Sequence, residues 1–238
     1  MGKMSKKEFA VLLIVGGVLL FAGLKLYQGE ASRVSSAAPI AKLPPRAQGN
    51  LNAEIKIIEF IDFQCPACAT GAKLIHEYLE KYPGKMYVEL RYFPLKMHAH
   101  GLTSARWGEC AARQEKFWPF LDQILNNQTS WSMLADPVPA FTNFAKTAGV
   151  DVEKLNVCLA DKSVDEVINV DLEEGKMRQV ASTPAYFINH ELVVGSKSLK
   201  SKLDALLGIK AEPSPAAGTL QYDSNKTIGE GIPNAKME

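Results

Sequence analysis

Cys65-Pro66-Ala67-Cys68 sits between a run that reads as a strand and a run that reads as a helix, and this position constrains the chain more than any other feature. Ile55 to Phe63 is mostly apolar, broken by Lys56, Glu59 and Asp62, and reads as a buried strand. Ala69 to Tyr82 has helical spacing. Two thiols at a helix N-terminus behind a strand form a redox couple. The first sees the positive end of the helix dipole and free backbone N–H groups, which favour the thiolate. The second lies one turn on, close enough to close a small disulfide ring and to resolve a mixed disulfide on Cys65. The competing uses are a structural disulfide and half of a zinc site. The latter would need two further Cys or His at close spacing, and Cys110 and Cys158 are not so placed.

Composition narrows the class. The chain has 238 residues, with 27 basic and 26 acidic side chains and a net charge of +1. A nucleic-acid-binding chain would carry a basic excess or stripe, so that class is set aside. No GxGxxG or phosphate loop is present, and no cofactor is expected.

The N-terminus differs in kind. Lys3, Lys6 and Lys7 precede an apolar run from Phe9 to Leu24, with Lys25 after it. Without a polar face the run does not suit a soluble amphipathic helix. Leu26 and Tyr27 extend it towards spanning length, and the basic flank keeps the N-terminus in the cytoplasm. Residues 1–28 therefore read as a membrane anchor or as a cleaved signal, with Ser35-Ser36-Ala37 available for cleavage. Either exports the rest to an oxidising, periplasmic or extracytoplasmic compartment. Residues 29–50, rich in Ala, Ser and Pro, read as a linker. Residues 51–209 read as the folded domain, and 210–238, punctuated by Pro and Gly, as a flexible tail.

Within the domain a second strand, Met86 to Phe93, completes a parallel strand–helix–strand unit. Helical spacing then covers 101–114, 117–126, 139–148, 152–159 and 164–180. Ala185–Ile188 and Glu191–Val194, joined by Asn189-His190, read as a hairpin, and 199–207 as a last helix.

This order and its residues resemble the thioredoxin superfamily, and within it the exported DsbA-like thiol oxidoreductases. Phe60-Ile61-Asp62-Phe63-Gln64-Cys65-Pro66-Ala67-Cys68 is similar to the family's active-site strand and turn. Thr183-Pro184-Ala185-Tyr186-Phe187-Ile188-Asn189 is similar to its cis-proline segment, and His98 through Trp118 to its inserted helices. The resemblance covers about residues 51–209. It implies an α/β thioredoxin fold with an inserted helical domain at about 97–180, here preceded by an N-terminal transmembrane helix. It implies Cys65 as nucleophile and Cys68 as resolving thiol. It also implies a cis bond at Thr183-Pro184, substrate contact at Thr183, Pro66 and Ala67, and an acid at Glu59 beneath the site. Pro66-Ala67 departs from relatives that carry a histidine between the cysteines.

The residues themselves leave several roles open. Pro184 also fits a trans proline opening a strand. Glu59 also fits an ordinary strand acid; if buried, its pKa is raised and it can accept or relay the Cys68 proton. Cys110 and Cys158 fall on predicted helices, either as a second, structural disulfide or as two core thiols. His76, His98, His100 and His190 read as surface or helix-start residues, and no metal is expected. Phe117, Trp118 and Phe120 read as core.

The prediction is an exported thiol:disulfide oxidoreductase that introduces disulfide bonds into thiol-containing substrate proteins. It is expected to be monomeric and to be re-oxidised by a membrane redox partner. The alternatives are a reductase or isomerase on the same fold, and a redox-inert module that holds peptides in the cis-proline groove.

Overall fold

A computed structural model of the chain describes residues 19, 21 and 43–209. It divides into residues 1–44, of which 19 and 21 are helical, and residues 45–238. The expected anchor or signal, apart from those two residues, lies outside the described residues, as do most of the expected linker and the tail. Among the described residues no helix is long and apolar enough to cross a membrane.

A mixed five-stranded sheet in the order β1-β3-β2-β4-β5 organises the second unit. Strands β2 (Ile55–Ile61) and β3 (Met86–Tyr92) run parallel, from Ile55 opposite Met86 to Ile61 opposite Tyr92. The connection between them carries α1 (Pro66–Lys81). β4 (Ala185–Ile188) lies antiparallel on the other side of β2, and β5 (Glu191–Val194) closes the hairpin. Most residues of the inner strands are buried; Lys56 is exposed, and Ile58, Glu89 and Arg91 are half-buried.

The domain starts earlier than the sequence suggests. The linker was expected to reach Asn50, but Ala47–Gly49 form β1, antiparallel to β3. Three residues show no periodicity; β1 is held by the hydrogen-bonding edge of β3 and by its neighbours. Arg46 pairs with Asp171, lies 3.8 Å from Glu109 and stands 4.5 Å over the Tyr92 ring. Gly49 is required here: its φ is +95°, and a Cβ would stand 2.2 Å from the Met86 carbonyl oxygen.

The predicted insertion holds α2 (Gly101–Ala112), α3 (Phe117–Asn126), α4 (Gln128–Trp131), α5 (Val138–Thr147), α6 (Val152–Leu159) and α7 (Ser163–Met177). Helix α4 was not expected, because four residues are too few for a period. Helix α8 (Ser196–Leu206) follows the hairpin and starts three residues before its expected position. Strand β2 stops at Ile61 rather than Phe63, because the Cys65 N–H turns back to the Asp62 carbonyl at 3.0 Å. Helix α1 starts at Pro66 rather than Ala69, with proline at its first position, where no N–H is needed.

Helices α1 and α8 cover one face of the sheet through Ile57, Ile75, Val88, Tyr186, Ile188, Leu199 and Leu203. The helical block builds a second core around Phe63, Tyr92, Trp107, Phe117, Phe120, Trp131 and Phe141. Burying each of these aromatic rings contributes roughly 1.5–3 kcal/mol. Cys65 and Cys68 belong to this second cluster. A disulfide between Cys110 and Cys158 joins α2 to α6, with Cα atoms 5.8 Å apart. Asp171 on α7 ties the block to the sheet, accepting from Arg46 and from the Tyr92 N–H at 2.9 Å, with Arg91 Nε at 3.6 Å.

Candidate active site

Cys65 caps the N-terminus of α1, with extended backbone (φ −76°, ψ 119°) and no side-chain capping bond. The Ala67 and Cys68 N–H groups act on its sulfur, although the Cys68 N–H also bonds the Cys65 carbonyl at 3.0 Å. Its Sγ lies 3.4 Å from the carbonyl oxygen of Thr183, whose peptide bond to Pro184 is cis. The βαβ unit and the β4 segment thus meet at one sulfur. Pro66 and Ala67 are exposed beside it, while Cys68 is fully buried one turn on. The two sulfurs are not bonded to each other.

The two thiols differ strongly. A hydrogen bond from the Cys68 thiol, with further help from Thr183 and the N–H groups of Cys68 and Ala67, outweighs partial burial and lowers the Cys65 pKa to about 5. Burial and the neighbouring Cys65 push Cys68 the other way, well above the ordinary thiol value. One sulfur is a thiolate at neutral pH although its residue is only 7% exposed; the other holds its proton in the core.

Glu59 lies on β2, six residues before Cys65, and is only 2% exposed. Burial raises its carboxyl pKa to about 8, opposed in part by Tyr186. Its cross-strand neighbour on β4 is Tyr186, and on β3 Leu90.

The turn between β2 and α1 is held by side chains that sequence reasoning did not single out. Asp62 is buried; its Oδ1 accepts the Gln64 N–H (2.8 Å), and its Oδ2 accepts the Leu95 N–H (2.7 Å) and lies 2.7 Å from His98 Nδ1. Gln64 accepts the His100 N–H through Oε1 (2.6 Å) and donates through Nε2 to Ser132 (2.7 Å). From α4, the buried Gln128 amide donates to the carbonyls of Phe63 (2.7 Å) and Cys65 (3.0 Å). An acid directly after the apolar end of β2 and three residues before Cys65 was the available signal for Asp62. Gln128 carried none.

The remaining candidates lie elsewhere. Cys110 and Cys158 bond to each other. His76 stands 3.5 Å from Asp122, and His190 occupies the hairpin turn at φ 77°. His100 Nε2 lies 2.7 Å from the Leu134 carbonyl oxygen. Among the described residues no group of three or more His, Cys, Asp or Glu is placed to hold a metal ion.

Comparison with known proteins gives three kinds of likeness. A family model described as thioredoxin matches residues 42–207. A probable disulfide bond formation protein D of Bacillus cereus is 31% identical over 154 residues, covering 60% of this chain and 69% of that protein. A Na(+)/H(+) antiporter NhaA of Herminiimonas arsenicoxydans is 26% identical over 201 residues, which is 82% of this chain; the chain spans 30% of that protein's length. The crystal structure of Wolbachia pipientis alpha-DsbA1 superposes with a TM-score of 0.60 at 25% identity, covering 71% of this chain and 92% of that one.

Proposed function

Because the chain belongs to the thioredoxin superfamily, in its DsbA-like branch, we propose that it is a protein thiol:disulfide oxidoreductase working through Cys65 and Cys68. The observation that carries this reading is the asymmetry of the two thiols, one lowered to about 5 at the helix start and one buried with its proton.

In the oxidised form a substrate thiolate attacks Cys65 Sγ. The Cys65–Cys68 bond breaks, and Cys68 leaves with the electron pair and takes up a proton. A second substrate thiolate then attacks the substrate sulfur of the mixed disulfide and expels Cys65 as a thiolate. The substrate gains a disulfide and the enzyme pair holds two electrons. The interactions that lower the Cys65 pKa stabilise that leaving thiolate, so they favour the oxidase direction. Glu59 supplies the proton to Cys68, since a carboxyl with a pKa of about 8 is protonated at neutral pH. Thr183 and Pro184 present backbone to the substrate beside Pro66 and Ala67.

The domain works outside the cytoplasm as a monomer, tethered through residues 1–28 and the linker that follows. It passes its electrons to a membrane redox partner. Ion transport, named for a relative of which the chain spans 30%, forms no part of this proposal.

The reduction potential tests the direction of flow. The oxidase reading expects a value well above thioredoxin's, which is around −270 mV, and towards DsbA's, around −120 mV. A value at or below the former overturns it in favour of a reductase. Loss of thiol-dependent insulin reduction in Cys65→Ser tests the chemistry itself; activity that survives the substitution excludes it.

A further inference from the structure

Tyr186 stands two residues beyond Pro184 on β4 and is fully buried. It is the direct cross-strand partner of Glu59, and it packs among the residues that line the α1 face of the sheet. Its hydroxyl reaches α1 at Gly71, one turn beyond Cys68. A Cβ on residue 71 would stand 2.0 Å from Tyr186 Oη and 3.5 Å from Pro184 Cγ. The strand of the buried acid, the helix of the two cysteines and the cis-proline segment therefore converge on one phenol.

Tyr186 Oη and Glu59 Oε1 are both buried, and among the described residues neither makes a well-formed hydrogen bond, yet the phenol is near enough to the carboxyl to draw its pKa down against burial. A poorly bonded hydroxyl destabilises a core, and phenylalanine would fill the same space without it. A phenol here is accounted for if its contact with the carboxyl tightens in another state of the cycle. We propose that Tyr186 is a positioning residue for the buried acid, donating a hydrogen bond to the Glu59 carboxylate once Glu59 has given its proton to Cys68. The inference rests on the exchange chemistry proposed above.

The step balances. A substrate thiolate forms a bond to Cys65 Sγ, the Cys65–Cys68 bond breaks, and the electron pair goes to Cys68 sulfur. The Glu59 carboxyl proton moves to that sulfur, leaving Cys68 as a thiol and Glu59 as a carboxylate. Tyr186 turns its hydroxyl to the new carboxylate and keeps its own proton, since burial and the charge on Glu59 hold that proton far more tightly than in a free phenol. The titratable groups acting on Tyr186 are Glu59 from β2 and Cys65 and Cys68 from α1. The other elements packed around the pair present Val88 and Leu90 from β3, Val193 from β5, and Leu199 and Leu203 from α8, all apolar.

The test is Tyr186→Phe, with two readouts on the oxidised protein. One is the midpoint of Glu59 by carboxyl carbon NMR; the other is the rate of attack by a cysteine-containing peptide between pH 6 and 10. Without the hydroxyl the Glu59 midpoint rises from about 8 by about one to two pH units, the worth of one hydrogen bond to a charged group. Exchange at neutral pH slows about threefold to tenfold as the acid weakens. In a Glu59→Gln background the same substitution has no further effect on the pH profile. Placing 3-fluorotyrosine at position 186, a better donor of nearly equal size, lowers the midpoint and covers the case in which the phenylalanine variant folds poorly. An unmoved Glu59 midpoint in either folded variant overturns the role of Tyr186. So does an equal slowing by Tyr186→Phe with and without Glu59. Absence of any thiol exchange in the unsubstituted protein instead sinks the proposed function, so the two failures are distinguishable.

Discussion

Glu59→Gln should make the protein more stable, and increasingly so as pH rises. The carboxyl is 2% exposed and keeps its proton to about pH 8, whereas its ordinary value is 4.5. A group whose folded pKa lies above its unfolded value contributes fully below the unfolded value and loses that contribution as pH rises through the folded one. Below about pH 4.5 both states are protonated and Glu59 is no burden. Between 4.5 and about 8 the unfolded chain ionises while the folded one does not, and the penalty grows with each pH step. At 1.36 kcal/mol per pH unit it reaches at most about 5 kcal/mol. The glutamine amide costs about as much to desolvate as the neutral carboxyl, so the difference is roughly zero at pH 4 and approaches roughly 5 kcal/mol at pH 8.5. With an m-value of about 2 kcal/mol/M, the urea midpoint rises by about 2 M at pH 8.5. Both proteins should be measured oxidised, so that no thiol titrates, and only their difference should be plotted against pH, which cancels the histidines. A difference that stays flat from pH 4 to 8.5 refutes the buried, raised carboxyl. The same substitution should slow exchange, so stability and activity move in opposite directions at one residue.

Alkylation of the reduced protein by iodoacetamide should titrate with a midpoint near 5 at Cys65 and leave Cys68 unmodified to at least pH 8; equal labelling of both thiols excludes the asymmetry. The sign for stability is the reverse of Glu59. The Cys65 contribution to the reduced fold is present above the ordinary thiol value and is lost as pH falls through about 5. Reducing Cys110–Cys158 in a Cys65→Ser/Cys68→Ser background opens a loop spanning 48 positions. The chain-entropy relation puts the loss at about 4 kcal/mol, or roughly 10 °C in Tm, and a change under about 1 kcal/mol in urea unfolding rejects it. Gly71→Ala should destabilise by about 1–3 kcal/mol through overpacking against the Tyr186 hydroxyl, with partial recovery when combined with Tyr186→Phe; additive effects in a double-mutant cycle contradict that contact.

The strands and the helix around Cys65 were legible because the apolar residues of Ile55–Ile61 and Met86–Tyr92 are nearly all buried, while the less buried positions mostly carry charge, as at Lys56, Glu89 and Arg91. The helices of the insertion were legible from their periodic apolar faces to within about three residues at each end. β1 was not, because Ala47-Gln48-Gly49 owes its conformation to the edge of β3 and to Arg46, whose partner Asp171 lies 125 positions away. At the site, Cys65, Cys68 and Pro184 announce themselves by spacing, and Glu59 by sitting as an acid in an apolar strand. Gln128 and Tyr186 do not. An isolated glutamine beyond a helix end and a tyrosine in a strand look ordinary until the chain closes and brings them to the cysteines.

The two bonds from Gln128 to the carbonyls of Phe63 and Cys65 bear on modularity. The strand, turn and first helix look like a portable cassette that one could graft onto another thioredoxin scaffold. The hydrogen bonding of such a graft would not travel with it. Its carbonyls face a donor that belongs to the insertion, and a recipient without an equivalent amide must hydrate them or leave them bare. The active-site turn of this chain is therefore held jointly by two sequence-distant pieces, and swapping insertions between relatives removes or replaces bonds that hold it without altering a residue of the Cys65–Cys68 motif.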